Sequence, residues 1–296
     1  MAKAIRFLRQ SQSEFYKLFS PLCGTHSAWE VWADFVSMSA VSIANVFDRQ
    51  GPVHDDRERQ YMETIRRYPK EEQKVFPRLL ATMVMALEED PEQDFLGEMF
   101  SALELNSHWK GQFFTPYNIG HLLAEATVDG VEERVERQGW VSVNDPCCGA
   151  GALLVAARNV MVRRNIPSTA VLFVAQDLDR TAALMCYLQL ALLGCAGYVV
   201  VADTMQHPLT GDPLYPGAST EQEVWYLPMF YHRVWQQRIL WRRMDAILSG
   251  GSRAQPQTVA VESTADTLPP PSPPEPATPP LILELSATST GQLTLF

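Results

Sequence analysis

Trp140-Val141-Ser142-Val143-Asn144-Asp145-Pro146-Cys147-Cys148-Gly149-Ala150-Gly151-Ala152-Leu153-Leu154-Val155-Ala156 runs from a short apolar stretch through an acidic residue and a Gly-x-Gly bend into an apolar helical pattern. That is the strand–loop–helix order of a nucleotide-type site. The glycines let the backbone approach a ligand closely, and the new helix directs its unpaired amides at it. A lone Gly-x-Gly also serves as a plain strand-to-helix bend, so the reading depends on its surroundings.

Two further apolar runs repeat the arrangement. Val171-Leu172-Phe173-Val174-Ala175-Gln176 ends at Asp177-Leu178-Asp179, and Tyr198-Val199-Val200-Val201 ends at Ala202-Asp203-Thr204. Strands that each end in a carboxylate, separated by helical patterns, predict an open α/β sheet with a ligand across the strands' carboxyl ends. Any one of these carboxylates could be a helix cap. Asp145, Asp177 and Asp203 at corresponding positions point instead to a common site.

The run Gly111-Gln112-Phe113-Phe114-Thr115-Pro116, the loop Asp145-Pro146-Cys147-Cys148-Gly149-Ala150-Gly151, the segment Gln176-Asp177-Leu178-Asp179 and the turn Ala202-Asp203-Thr204 resemble, in order, the cofactor motifs of N6-adenine DNA methyltransferases. The likeness is to the modification subunits of type I restriction systems and covers roughly residues 90 to 205. It implies a Rossmann-like methyltransferase half-sheet and an S-adenosyl-L-methionine site. In that reading Thr115 and Pro116 close over the methionine end, with Phe113 or Phe114 packed beside it. Asp145 and the backbone of Gly149 to Gly151 hold the amino-acid portion, and Cys148 is the cysteine of the family's loop. Asp177, where the family commonly carries glutamate, accepts the ribose hydroxyls. Leu178 lies on the adenine face and Asp203 accepts from the adenine amino group.

The family's acceptor motif, a polar residue followed by Pro-Pro and an aromatic, is absent. Its polar group accepts from the target amino group, and its ring stacks on the extruded base. The nearest lookalike is Asp212-Pro213-Leu214-Tyr215, with Leu214 where the second proline belongs and a loop-like stretch before it. The reading there is a turn. The resemblance therefore implies DNA adenine-N6 methylation only where the acceptor half comes from a partner, a specificity-type subunit or a second copy, or from a local equivalent elsewhere in the chain. The alternative is a non-catalytic, cofactor-binding adaptor.

No further strand is expected after Val201, which would leave the first strand's edge open, a liability that proteins normally cover. Val224 to Met244 is rich in aromatics and arginine at helical spacing and could supply the cover. It could instead meet nucleic acid, with arginine on phosphate and rings on bases. The favoured reading is a helix that packs Trp235 and Ile239 on the half-sheet with its arginines in water.

Residues 1 to 110 read as a helical domain. Apolar spacing marks His26 to Phe47 and Glu71 to Glu88, and Asp90-Pro91 signals the start of a helix through Phe95, Leu96, Met99 and Phe100. Residues 111 to 248 form the cofactor domain, and 249 to 296 a tail. Nine prolines between Gly250 and Pro280 make that tail a disordered spacer. It ends in Gln292-Leu293-Thr294-Leu295-Phe296, which resembles the peptide by which bacterial proteins dock on the replicative sliding clamp. In that likeness Leu293, Leu295 and Phe296 fill apolar pockets while Gln292 orients the peptide.

Composition sets bounds. Five cysteines without paired spacing point to a reducing cytoplasm and away from zinc. No apolar run reaches membrane-spanning length. A net charge of −10 is unsuited to holding duplex DNA unaided, so a partner such as the clamp is expected to bring the DNA.

Overall fold

Amphipathic spacing builds the first part of the chain. In a computed structural model, which describes residues 7–105, 114–248 and 292–294 (the last as backbone only), the segments before residue 105 fold as α1 (Gln10–Phe19), α2 (Ala28–Phe47), α3 (Pro52–Ile65), α4 (Lys70–Gln73), α5 (Val75–Glu89) and α6 (Phe95–Ala102). Ser27 and Glu30 form a reciprocal capping box that fixes the start of α2. Phe15, Trp32, Phe35, Phe95 and Phe100 fill the centre, meeting largely edge to face.

One helix start differs from the expectation. The cap of α6 is Asp94, whose Oδ1 accepts from the Gly97 N–H at 2.9 Å, rather than Asp90-Pro91. Asp90 instead closes α5 by donating its N–H to the Ala86 carbonyl. The buried Gln93 amide, bonded to the carbonyls of Ala86 and Asp90, holds the intervening turn and moves the start of α6 onward.

The remainder alternates helices and strands: α7 (Tyr117–Thr127), α8 (Val131–Gln138), β1 (Val141–Asp145), α9 (Ala152–Arg163), β2 (Val171–Asp177), α10 (Arg180–Leu192), β3 (Ala196–Val201), β4 (Glu223–Tyr226), α11 (Arg233–Leu248) and β5 (Gln292–Thr294). The strands form one sheet in the order β4-β3-β2-β1-β5. β1, β2 and β3 are parallel; β2 and β3 carry near-continuous apolar runs, as strands covered on both faces do, while β1 alternates Val141 and Val143 with polar residues. α10 is buried along most of its length between the sheet and α2, where the Trp32 Nε1–H donates to the Met185 Sδ at 3.4 Å. Helical segment and sheet therefore share one core.

The sheet continues beyond the expected strands at both edges. Glu223–Tyr226 pairs antiparallel with β3, so this stretch is a strand and lies on the edge away from β1. Its signal is hidden because the run is short and Pro228 follows two residues after its end. Tertiary contact makes it: Trp225 is buried against Tyr187, with the Arg57 guanidinium 3.9 Å from its ring centroid. The outer edge of β1 is covered by β5, not by the 224–244 region.

α11 packs on the sheet through its first half only. Trp235 is buried against Trp140, while Trp241 is 64% exposed. Its arginines are not simply solvated. Arg238 lies over Trp235 and donates to the carbonyls of Gly139 and Thr169, and Arg242 pairs with Asp212 at 2.7 Å. Among the described residues no helix is long and apolar enough to cross a membrane, and no cluster of side chains suits a metal ion. The proline-rich stretch 249–291, with Phe113, Leu295 and Phe296, lies outside the described residues.

Candidate functional site

β1 delivers Asp145 to the carboxyl end of the sheet, and the chain then turns tightly into α9. Four amides shape that turn. Cys147 N–H donates to Asp145 Oδ1 at 3.1 Å, Cys148 N–H to the Gln176 carbonyl of β2 at 2.9 Å, Gly149 N–H to Asp177 Oδ2 at 2.8 Å, and Gly151 N–H back to the Cys148 carbonyl at 2.8 Å. Gly151, at φ +94°, stands directly before α9 and is irreplaceable on steric grounds. A Cβ there would sit 2.8 Å from Cys186 Sγ and 3.3 Å from its Cα. Cys148 and Cys186 are free thiols packed together under the bend. Their mutual hydrogen bond, with burial, pushes the Cys148 thiol well up, so it is a packing residue rather than a nucleophile.

Asp145 is fully buried, and its Oδ2 has no hydrogen-bond partner among the described residues. Burial is the main cause that raises its carboxyl to about 6, with repulsion from Asp177 adding and the Cys147 amide opposing. Asp177, half-buried at the end of β2, is also pushed up by burial, tempered by the amides of Asp179 and Gly149. Its Oδ1 accepts from the Asp179 N–H and its Oδ2 from the Gly149 N–H, both at 2.8 Å, and the Leu178 amide adds to their effect. Leu178 beside it is 69% exposed. Asp203 follows β3, where its Oδ1 accepts from the amides of Met205 and Gln206. The neighbouring Thr204 hydroxyl donates to the Pro146 carbonyl at 2.5 Å, tying the β3 loop to the glycine bend. The three carboxylates thus stand at the ends of three adjacent parallel strands.

Phe114 and Thr115 form the opposite wall of a cleft of about 210 Å³ with Cys147, Cys148, Gly149, Ala150, Ala152 and Leu153. The Phe114 ring lies over Gly149, so close that a Cβ on the glycine would be 2.9 Å from it, and its other side meets Phe100 at 5.0 Å. Pro116 stands at the start of α7, held against α9 where Asn159 Nδ2 donates to the Tyr117 hydroxyl at 2.8 Å. Ligand cavities usually enclose roughly 300–1,000 Å³. At about 210 Å³ the cleft is smaller than that range, and the Phe114 ring fills the space between Gly149 and Phe100 of α6.

A buried bridge positions the bend from beneath. Gln189 in α10 donates to Asp94 Oδ1 at 2.7 Å and to the Ala150 carbonyl at 2.8 Å, and its Oε1 accepts from Leu96 N–H at 3.2 Å. Burial raises the Asp94 carboxyl to about 6 against these bonds. Sequence reasoning passed over this bridge. Its trace was a single amide in the otherwise apolar run Leu184 to Leu190.

A larger cavity of about 1,020 Å³ lies elsewhere, between α3, β4 and α11. Its principal charges are already paired, Arg57 with Asp48 at 2.9 Å and Arg180 with Glu223 at 3.0 Å. The glycine bend does not reach it, so it is not the nucleotide-type site. Asp212 to Tyr215 also lies on that flank and forms a turn, with Leu214 N–H donating to Asp212 Oδ1 and the Pro213 carbonyl accepting from Tyr198.

The raised carboxyls give a pH dependence. A buried acid whose folded pKa exceeds its unfolded value destabilises the fold where it is charged, and that penalty disappears as pH falls below the unfolded value. With Asp145 near 6 and an ordinary value of 3.8, the penalty is fully present above pH 7 and fades between about 6 and 4. Its size is on the order of 2–3 kcal/mol. Replacing Asp145 with asparagine should therefore remove the gain in melting temperature that this carboxyl is expected to contribute on going from pH 7.5 to 5. Parallel profiles for the two proteins would show that the Asp145 carboxyl is not strained by burial.

A family model described as N-6 DNA Methylase matches residues 92–244. No curated protein matches the chain. Among solved structures, a protein described as a class I S-adenosylmethionine-dependent methyltransferase from Listeria monocytogenes is 15% identical with a TM-score of 0.31, over 62% of this chain and 51% of that one. The type I restriction-modification methyltransferase subunit from Streptococcus thermophilus is 12% identical with a TM-score of 0.36, over 69% of this chain and 59% of that one. The chain thus spans little more than half the length of either.

Proposed function

The chain belongs to the N-6 DNA methylase family, and from that premise we propose that it binds S-adenosyl-L-methionine at the glycine bend and forms the cofactor-holding half of a DNA adenine-N6 methyltransferase. The observation that carries this reading is the orphaned oxygen of Asp145. A fully buried carboxylate atom without a partner is costly unless a ligand completes it, and Asp145 stands at the end of β1 where the glycine bend begins. The remaining residues fit the same ligand. The two oxygens of the Asp177 carboxylate suit a pair of hydroxyls, the exposed face of Leu178 suits an aromatic ring, and Asp203 stands within the same row of strand ends. Phe113, Phe114, Thr115 and Pro116 would close the methionine side.

Bound cofactor would supply an electrophilic sulfonium methyl group. This chain's task is to orient that group, with Asp145 and Asp177 as fixed acceptors and Phe114 and Leu178 excluding water. The acceptor groups for adenine come from another chain, a specificity-type subunit or a second copy. Asp212 is not suited to the part, because its carboxylate is occupied by the Leu214 amide and by Arg242.

That same occupancy favours a second reading, a non-catalytic cofactor-binding adaptor recruited to DNA through the sliding clamp by Gln292, Leu293, Leu295 and Phe296. The net charge of −10 suits either form, since both rely on a partner to bring DNA. The deciding experiment is calorimetric titration of S-adenosyl-L-methionine into the full chain, then transfer of labelled methyl to duplex DNA with and without candidate partner subunits and clamp. Binding with transfer only in a partner's presence is the expected result. Binding with no transfer under any combination would leave the adaptor, and absence of binding would end both.

A further inference from the structure

β1 has two sides, and the one away from β2 decides what can join this sheet. Along β1 every residue from Val141 to Asp145 is in parallel register with Val171 to Ala175 of β2. On the outer side, β5 pairs with Ser142, Val143 and Asn144 only, leaving the outer positions of Val141 and Asp145 beyond its register. Strands of globular proteins are usually about five or six residues long, and a three-residue ladder is a weak hold. The segment that separates α11 from β5, residues 249–291, has a contour length of roughly 150 Å, so β5 is not pinned to β1 by a short connection.

Direction matters as much as length. β5 runs parallel to β1, so a strand in its place ends at the same end of the sheet as Asp145 and the cofactor cleft. Any loop that follows such a strand emerges beside the glycine bend. An antiparallel strand would deliver its following loop to the opposite end of the sheet.

We propose that the outer edge of β1 is a strand-docking surface, held in cis by segment 292–294 and open, once that segment leaves, to a longer parallel strand from the partner chain that carries the acceptor residues. The partner part of this inference rests on the reading that the acceptor half is supplied in trans; the cis part does not. Main-chain pairing supplies the affinity, and a partner strand that matches all of Val141 to Asp145 outcompetes the three-residue ladder. Segment 292–294 cannot lie on β1 and in a clamp pocket at once.

The test uses the full chain with Gln292→Pro and Leu293→Pro together. Adjacent strand residues direct their amides to opposite sides, so one of the two prolines removes a donor that faces β1. Hydrogen exchange should be roughly tenfold faster in the variant over residues 140–146. A labelled synthetic peptide with the sequence of residues 290–296, standing in for a partner strand, should bind the variant and restore protection there. It should bind the unaltered chain at least tenfold more weakly, because the tethered segment competes at high effective concentration. Equal exchange in the two proteins, or peptide binding that leaves 140–146 unprotected, overturns the proposal. Cofactor titration of the unaltered chain reports separately: loss of that signal with the exchange difference intact refutes the cofactor site and not the docking edge.

Discussion

Replacing Asp177 with alanine should weaken S-adenosyl-L-methionine binding about 100-fold or more. Two effects act together. The substitution removes both acceptors proposed for the ribose hydroxyls, and hydrogen bonds to a charged group contribute roughly 1.5–3 kcal/mol each. It also frees the Gly149 and Asp179 amides, which donate to Asp177 at 2.8 Å each, so the glycine bend loses its tie to β2. Two lost bonds already amount to about 3 kcal/mol, and 1.4 kcal/mol corresponds to a factor of ten. Calorimetry on the folded variant provides the measurement, with its melting curve as the check that the sheet is intact. An affinity within threefold of the parent would mean that the cofactor does not rest on the end of β2.

Gly197→Ala should be the most damaging single substitution for the fold. Gly197 lies in β3 at φ +138°, a conformation that side-chain-bearing residues rarely adopt, and its register partner is Phe173 of β2. A Cβ at this position would stand 1.8 Å from the Phe173 carbonyl oxygen and 2.7 Å from its carbon. Backbone atoms in the middle of a parallel sheet cannot yield as a side chain would. The substitution must open the β2–β3 ladder and disturb the Gly197 carbonyl, which accepts from Leu227 N–H at 2.9 Å where β4 ends. A loss of roughly 4 kcal/mol or more places it among the exceptional cases. For a domain of this size that corresponds to a fall in melting temperature of about 8–16 °C, or to failure to accumulate as soluble protein. A shift below about 3 °C would show that β3 tolerates a side chain here and that its pairing with β2 is looser than described.

Local sequence carried the parallel core of the sheet and the ends of its strands. An apolar run needs helices on both faces, a glycine bend needs positive φ, and a carboxylate at a strand's end lies where helix amides begin; each is a demand made within about ten residues. Asp145, Asp177 and Asp203 were therefore legible as a row before any fold was known. The same locality explains the misplaced start of α6, because Asp90-Pro91 and Asp94 offer similar caps. A buried glutamine side chain settled the choice between them.

Contacts between distant parts of the chain left no such trace. Trp225 becomes part of a strand because Tyr187 and Arg57 enclose it, and neither lies near it in sequence. Gln189 supports the bend by joining Asp94 to Ala150, and Phe114 narrows the cleft by resting on Gly149. The edge of β1 is closed by residues about 150 positions away. Hydrogen-bond partners and burial at such separations depend on where the whole chain places two segments. Periodicity and motif spacing record only what a segment requires of its immediate neighbours, so the cofactor end of the sheet could be read from letters while its edges and its supporting bridge awaited three dimensions.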